Sequence, residues 1–162
     1  MIEVRPARPG ELAAVGNLTM AAYDSDGHLH ADDDYAGELL DAARRARDAE
    51  LLVAVEGPEL LGTVTVAEHG SPYAEVSHPD ELEFRMLGVD PAARGRGAGR
   101  ALVQAVLERA EVLGCAGVVI STQERMVAAR SIYTRLGFAR VPERDWEPVP
   151  GLVLQVMLRP RP

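Results

Sequence analysis

The sequence predicts an α/β fold in which a mixed β-sheet is flanked by helices. Three observations predict it. A chain of 162 residues suits a single domain, 1–162, around one core. Its 47% hydrophobic and 26% charged residues are those of a globular protein, neither disordered nor fibrous. Along the chain, β-rich runs and runs with helical spacing follow the order βααββ, then β, a glycine-rich turn, α, β, α, β, β.

Residues 2–5 form a short strand ended by Pro6 and Pro9. Leu12, Val15, Leu18 and Met20 have helical spacing within 11–23. The segment 24–34, polar and with two histidines, reads as a loop. Tyr35, Leu39, Ala43 and Ala46 mark a second helix, whose start is favoured by the acidic residues 32–34. Strands over 51–55 and 60–67 are joined by the hairpin signal Glu56-Gly57-Pro58-Glu59, and 68–80 reads as an exposed loop. A strand over 82–89 is halted by Asp90-Pro91. A helix over 101–113 carries the stripe Leu102, Val106, Ala110 and Leu113, and Gly114 stops it. An apolar strand over 115–122 suits a central position. A helix over 125–136 ends at Gly137, and strands over 138–141 and 152–158 close the chain around a proline-rich connection.

Charge and composition exclude several classes. A net charge of −8 argues against nucleic acid as a partner and weakly favours a cationic small molecule. No apolar run approaches the roughly 20 residues that span a bilayer, so no membrane role is expected. The N-terminus lacks the basic-then-apolar order of a secretion signal, and a lone Cys115 cannot form an internal disulfide. The expected location is the cytoplasm. All 17 basic residues are arginine, which reads as the codon bias of a GC-rich bacterial genome.

Between the strand 82–89 and the helix 101–113 lies Arg94-Gly95-Arg96-Gly97-Ala98-Gly99-Arg100, with no acidic residue. Glycines let successive N–H groups turn into one small space, and the following helix adds its positive end. The segment is an anion site for a phosphate or pyrophosphate. A P-loop is excluded because the chain has no lysine. A dinucleotide fingerprint is excluded by glycine spacing and by a position past mid-chain.

Arg94-x-x-Gly97-x-Gly99 resembles the R/Q-x-x-G-x-G/A motif of the GNAT superfamily of acetyl-CoA-dependent N-acetyltransferases. Leu87-Gly88-Val89-Asp90-Pro91 before it and Ile132-Tyr133-Thr134-Arg135-Leu136-Gly137-Phe138 after it resemble the family's flanking signatures. The resemblance is strong over 82–141 and by element order alone over 1–67. It implies acetyl-CoA as donor, with main-chain amides from Gly95 to Arg100 on the pyrophosphate, and Arg96 or Arg100 on the 3′-phosphate or simply solvated. Met86, Leu87 and Val89 would hydrogen-bond the pantetheine, with Gly88 the bulge residue, and Ala129 would leave room for the cofactor. Tyr133 maps to the general acid and Glu83, eleven residues before Arg94, to the general base; Glu83 could instead orient substrate or pair with Arg85.

One position departs from the family pattern. Met126 stands where many members carry an asparagine, and Ser121, Thr122 or Gln123 could replace its contact. The acceptor pocket is expected between Tyr23, Asp24, Asp26, His28, His30 and residues 32–34 on one side, and Arg144, Asp145 and Trp146 on the other. No metal is expected. The implied activity is direct acetyl transfer to a primary amine of a small molecule, with homodimerisation common in the family. The alternatives are an acyl-CoA-binding regulatory module without turnover and a protein N-acetyltransferase.

Overall fold

Leu and β-branched residues crowd Glu50–Glu56 (β2) and Glu59–Glu68 (β3), and a two-residue turn at Gly57-Pro58 folds them into the hairpin on which the sheet is built. In the computed structural model, which describes residues 1–25, 27 and 35–162, Glu3–Pro6 (β1) joins one side of this hairpin and Glu81–Val89 (β4) the other, all antiparallel. Gly117–Thr122 (β5) then pairs with β4 in parallel, and Leu152–Pro160 (β8) pairs antiparallel with β5. Ala139–Arg140 (β6) and Trp146–Val149 (β7) both add to β8. The mixed sheet flanked by helices is as the sequence predicts.

Helix α4, Ala98–Val112, covers one face with Leu102, Val103, Val106, Leu107 and Ala110, all buried against Leu82 and Phe84 of β4, Val64 of β3 and Ile120 of β5. Leu113 ends that helix and is 36% exposed, so it leaves the expected stripe. Helix α1, Leu12–Ser25, covers the other face, where Val15 packs on Leu51, Val53 and Val55. Helix α5, Val127–Arg135, sets Tyr133 into the first core beside Phe84 and Phe138. Among the described residues, no helix is long and apolar enough to cross a membrane.

Two elements differ from the sequence expectation. The second helix is two, Tyr35–Leu40 (α2) and Ala42–Asp48 (α3), because the Asp41 side chain accepts the Arg44 N–H and starts a new helix. Arg45 secures the break: fully buried, it donates to the Glu38 and Leu39 carbonyls at 2.6 and 2.9 Å, closing the end of α2. The proline-rich connection holds β7, which turns back into β8 through Gly151 at φ 86°.

The α1–α2 contact tolerates no added atom at Gly16, where a Cβ would collide with the Leu40 carbonyl oxygen. Gly16→Ala should therefore cost about 1–3 kcal/mol or more, read as a lower urea midpoint with the slope unchanged. A charge pair gives a second expectation. The Arg5 hydrogen bond, with the Arg8 amide, lowers the Glu11 pKa from 4.5 to about 2. Because the folded pKa is depressed, the stabilisation is complete above about pH 4.5 and is lost as pH falls through 2. Glu11→Gln should thus be less stable than the parent at pH 7, and the two denaturation curves should converge toward pH 2.

Candidate active site

The glycine segment takes its shape from two left-handed residues. Gly95 and Gly97 sit at φ 80° and 92°, where side chains are strained, and around each an added Cβ would meet open space. Backbone conformation, not crowding, is what demands glycine there. Gly97 is the N-cap of α4, which begins at Ala98, three residues ahead of the sequence expectation. Ala98, Gly99 and Arg100 thereby form its first turn, whose amides have no partner earlier in the helix, and no side chain caps them. Gly99 serves another purpose: its Cβ would stand 3.0 Å from Ile132 Cδ1 and 3.5 Å from Val89 Cγ2, so glycine lets α4 start against α5 and the end of β4. Arg94 reaches back to the Ala22 carbonyl of α1.

Of the two arginines considered for the 3′-phosphate, Arg96 is held by the β2–β3 hairpin. It pairs with Glu56 and, at 3.0 Å, with Glu59. The structure therefore assigns its side chain to bracing the turn against the hairpin. Arg100 is exposed at the helix start.

From this turn, an open edge leads back into the sheet. β4 and β5 pair only at Glu81↔Gly117, Leu82↔Val118 and Glu83↔Val119; beyond them β4 stays on β3 and β5 on β8. The backbone of β4 from Phe84 to Val89 thus faces a notch in the sheet. Within it lies the bulge, but not at Gly88. Gly88 pairs in register with Thr63, while Arg85 pairs with Thr65, so Met86 and Leu87 together oppose Val64. Met86 carries the distortion at φ 55°. Gly88 is glycine for α1, since its Cβ would lie 3.3 Å from that of Ala22.

The bulge also resets which face each side chain meets. Leu82 and Phe84 point to the α4 core, and Glu81, Glu83 and Arg85 to the α1–α2 side. Met86 then joins Leu39, Ala67 and Tyr73 on that second side, while Leu87 and Val89 return to the α4 core.

At the inner end of the notch stand the two residues assigned to proton transfer. The Tyr133 ring is buried edge-to-face against Phe84 at 5.5 Å, and burial pushes its phenol above the ordinary range, so it is protonated at neutral pH. Ala129 is half-buried one turn earlier on α5. Glu83 is buried, and its Oε1 accepts the amide N–H groups of Glu75, Val76 and Ser77 at 2.9, 2.9 and 3.0 Å. Burial raises its pKa; the three amides oppose that and reduce the rise. The Glu83–Arg85 pair, the alternative to the base role, does not form. Arg85 Nε instead donates to Glu75 at 3.0 Å, and Tyr35 and Tyr73 flank its guanidinium.

Tyr23 and Tyr35 meet edge-to-face at 6.0 Å, and the Tyr23 phenol is pushed up by burial and by the neighbouring Tyr35 and Tyr133 phenols. Tyr23 and Tyr35 both pack on the cluster of Leu39, Tyr73 and Met86. Tyr35, Tyr73 and Glu75 were not among the sequence candidates. Their available signal was two aromatic residues beside charge, one of them in the connection 69–80, where Tyr73 is only 5% exposed.

The other acceptor wall is taken up by structure. Arg144 pairs with Glu81 at 2.8 Å, Asp145 with Arg140 at 2.6 Å, and the Trp146 Nε1–H donates to Ser121 at 3.0 Å. Around Met126, Thr122 Oγ1 lies 3.7 Å from its sulfur and Gln123 accepts from Arg125. All three side chains considered as replacements for the asparagine are thus engaged. Asp26, His28, His30 and 32–34 lie outside the described residues, among which no cluster suited to a metal occurs.

Known proteins share this architecture. The model of the "Acetyltransferase (GNAT) family" matches residues 12–138. A mycothiol acetyltransferase of Pseudarthrobacter chlorophenolicus is 33% identical over 151 residues, 86% of this chain and 43% of that protein. The human N-acetylaspartate synthetase is 32% identical over 107 residues, 66% of this chain and 33% of its own. This chain spans less than half the length of those curated relatives. Among solved structures, a GCN5-related N-acetyltransferase from Kribbella flavida is similar with TM-score 0.72 and 27% identity over 99% of this chain and 98% of that one. A GNAT family acetyltransferase from Brucella melitensis in complex with acetyl-CoA has TM-score 0.61 and 26% identity over 86% and 83%. Glycine turn, parted strands and buried tyrosine occur together on a domain that the family model matches over most of its length: the chain belongs to the GNAT acetyltransferase family.

Proposed function

We propose that the protein is an acetyl-CoA-dependent N-acetyltransferase that moves the acetyl group directly to a primary amine of a small molecule. The observation that carries this reading is the parting of β4 from β5 immediately after Glu83, with the glycine turn at its outer end and Tyr133 at its inner end. The amides of Gly95–Arg100 hold the pyrophosphate, and the arm lies along β4, bonded to Met86, Leu87 and Val89. Val89 and Arg85 are four residues apart, about 13 Å of strand, so an arm entering at the turn ends near the bulge. The Brucella complex and the names of the curated relatives support donor and small acceptor alike.

The chemistry is a direct displacement. The amine nitrogen attacks the thioester carbonyl, the C–N bond forms, and the C–S bond breaks. Glu83 takes the proton from the amine, and the Tyr133 hydroxyl donates to the departing sulfur. The burial that raises the phenol also raises the proton affinity of a thiolate beside it, so the donor remains matched to its acceptor.

Tyr133→Phe keeps the packing on Phe84 and Phe138 and removes only the donor. It should lower kcat about 10²- to 10⁴-fold with coenzyme A affinity unchanged, measured by thiol release and calorimetry. For Glu83, the wild-type rate should fall as pH drops through its raised pKa; Glu83→Gln should abolish that limb. An unchanged profile assigns Glu83 solely to anchoring residues 75–77. Coenzyme A binding without amine-dependent thiol release, across a broad amine panel, would identify a regulatory module instead.

A further inference from the structure

The carboxylates on the acceptor side of the notch are already committed. Glu81 holds Arg144 and the His78 amide, Glu83 holds three amides, and Glu75 holds Arg85. Glu83 keeps Oε2 for the one reacting amine, and with Glu81 and Glu75 spent on arginine the three offer no cluster to grip a polycationic acceptor. The group with capacity to spare is a guanidinium. Among the described residues Arg85 uses Nε on Glu75, contacts the Tyr73 carbonyl at 3.4 Å and hydrogen-bonds Tyr35, and these partners leave two of its five N–H groups. It is the residue before the bulge, and its side chain leaves β4 on the face that carries Glu83.

A second guanidinium lies behind the tyrosines. Arg45 is fully buried, its Nε has no hydrogen-bond partner, and its other contacts are two carbonyls and the Thr19 hydroxyl. Among the described residues no carboxylate hydrogen-bonds it, so the Tyr23–Tyr35–Tyr73 wall backs onto a buried positive charge held by two carbonyls and a hydroxyl, with Asp41 acting from farther away. An anionic group on the acceptor would meet favourable charge from both arginines.

We propose that the acceptor carries a carboxylate close to its amine, as an α-amino acid does, and that Arg85 holds this carboxylate and so selects the amine that reaches the thioester. Residues 83 and 85 lie about 7 Å apart along the strand, a span that suits an amine and a carboxylate joined through one or a few carbons. The planar fork of arginine matches a carboxylate in a way that a lysine would not. The inference rests on the acetyl-transfer reading above.

The test pairs the common α-amino acids with their α-carboxamides, which lose the negative charge but keep the shape and have the more reactive amine. Wild type with acetyl-CoA should favour the acids about 10- to 100-fold in kcat/KM. Arg85→Gln should erase that preference through the acceptor KM while leaving the acetyl-CoA KM unchanged, and Arg85→Lys should restore part of it. Equal or better use of carboxamides by wild type, or an equal loss for both classes in Arg85→Gln, overturns the inference. A second arm titrates the same compounds into the coenzyme A-loaded protein, following Trp146 fluorescence. Acid-selective binding that Arg85→Gln abolishes, without thiol release, upholds the carboxylate site and sinks acetyl transfer. Acetylation of amines with no acid preference in either arm does the reverse, and failure in both arms overturns both.

Discussion

The candidate site depends above all on where two parallel strands stop sharing hydrogen bonds. β4 and β5 are joined through Glu83↔Val119 and no further, which leaves a row of main-chain groups on β4 unpaired in the middle of a sheet. An unpaired edge inside a protein is costly unless something else bonds it. In this chain the edge runs from the mouth of a glycine turn, where first-turn helix amides have no capping side chain among the described residues, to a buried phenol. Both sets of polar groups suit a ligand with a phosphate end and an amide-bearing arm.

The bulge at Met86 makes that edge usable from both sides. A left-handed Met costs about 1–2 kcal/mol, and the strain is held by burial among Leu39, Ala67 and Tyr73. In exchange, the parity of the strand changes. Charged residues before the bulge face α1 and α2, while Leu87 and Val89 beyond it rejoin the α4 core. Charged side chains and apolar packing therefore share one strand without conflict.

Charge in the site does not follow charge in the chain. The net −8 suggests affinity for cations, yet the carboxylates that β4 turns toward α1 and α2 are all occupied by arginine or by amides. Glu83 is the clearest case. Three N–H groups from residues 75–77 converge on one oxygen, so a carboxylate that β4 turns toward α1 and α2 also orders the loop bearing Tyr73 and Glu75, which in turn flank Arg85. A whole-chain sum reports on solubility and long-range field; a site is decided by which charges remain without partners.

Local chemistry was enough to read the element order, the hairpin at Gly57-Pro58, the glycine turn and the tyrosine four residues before Gly137, because each is written in neighbouring residues. The break at Asp41 was hidden, since alanines on both sides continue a helical pattern and only the capping bond interrupts it. Glycine content points to a bulge at Gly88, whereas register with β3 puts it at Met86–Leu87 and gives Gly88 to the α1 contact. The partners of Arg85, Arg96 and Glu83 were equally out of reach, for they come from loops and hairpins six to forty positions away. Sequence alone thus determined the family, the glycine turn and the identity of the proton-transfer candidates. Only the tertiary structure decided where the sheet opens and which described charges pair with one another, because strand register and ion pairing are settled between segments rather than within them.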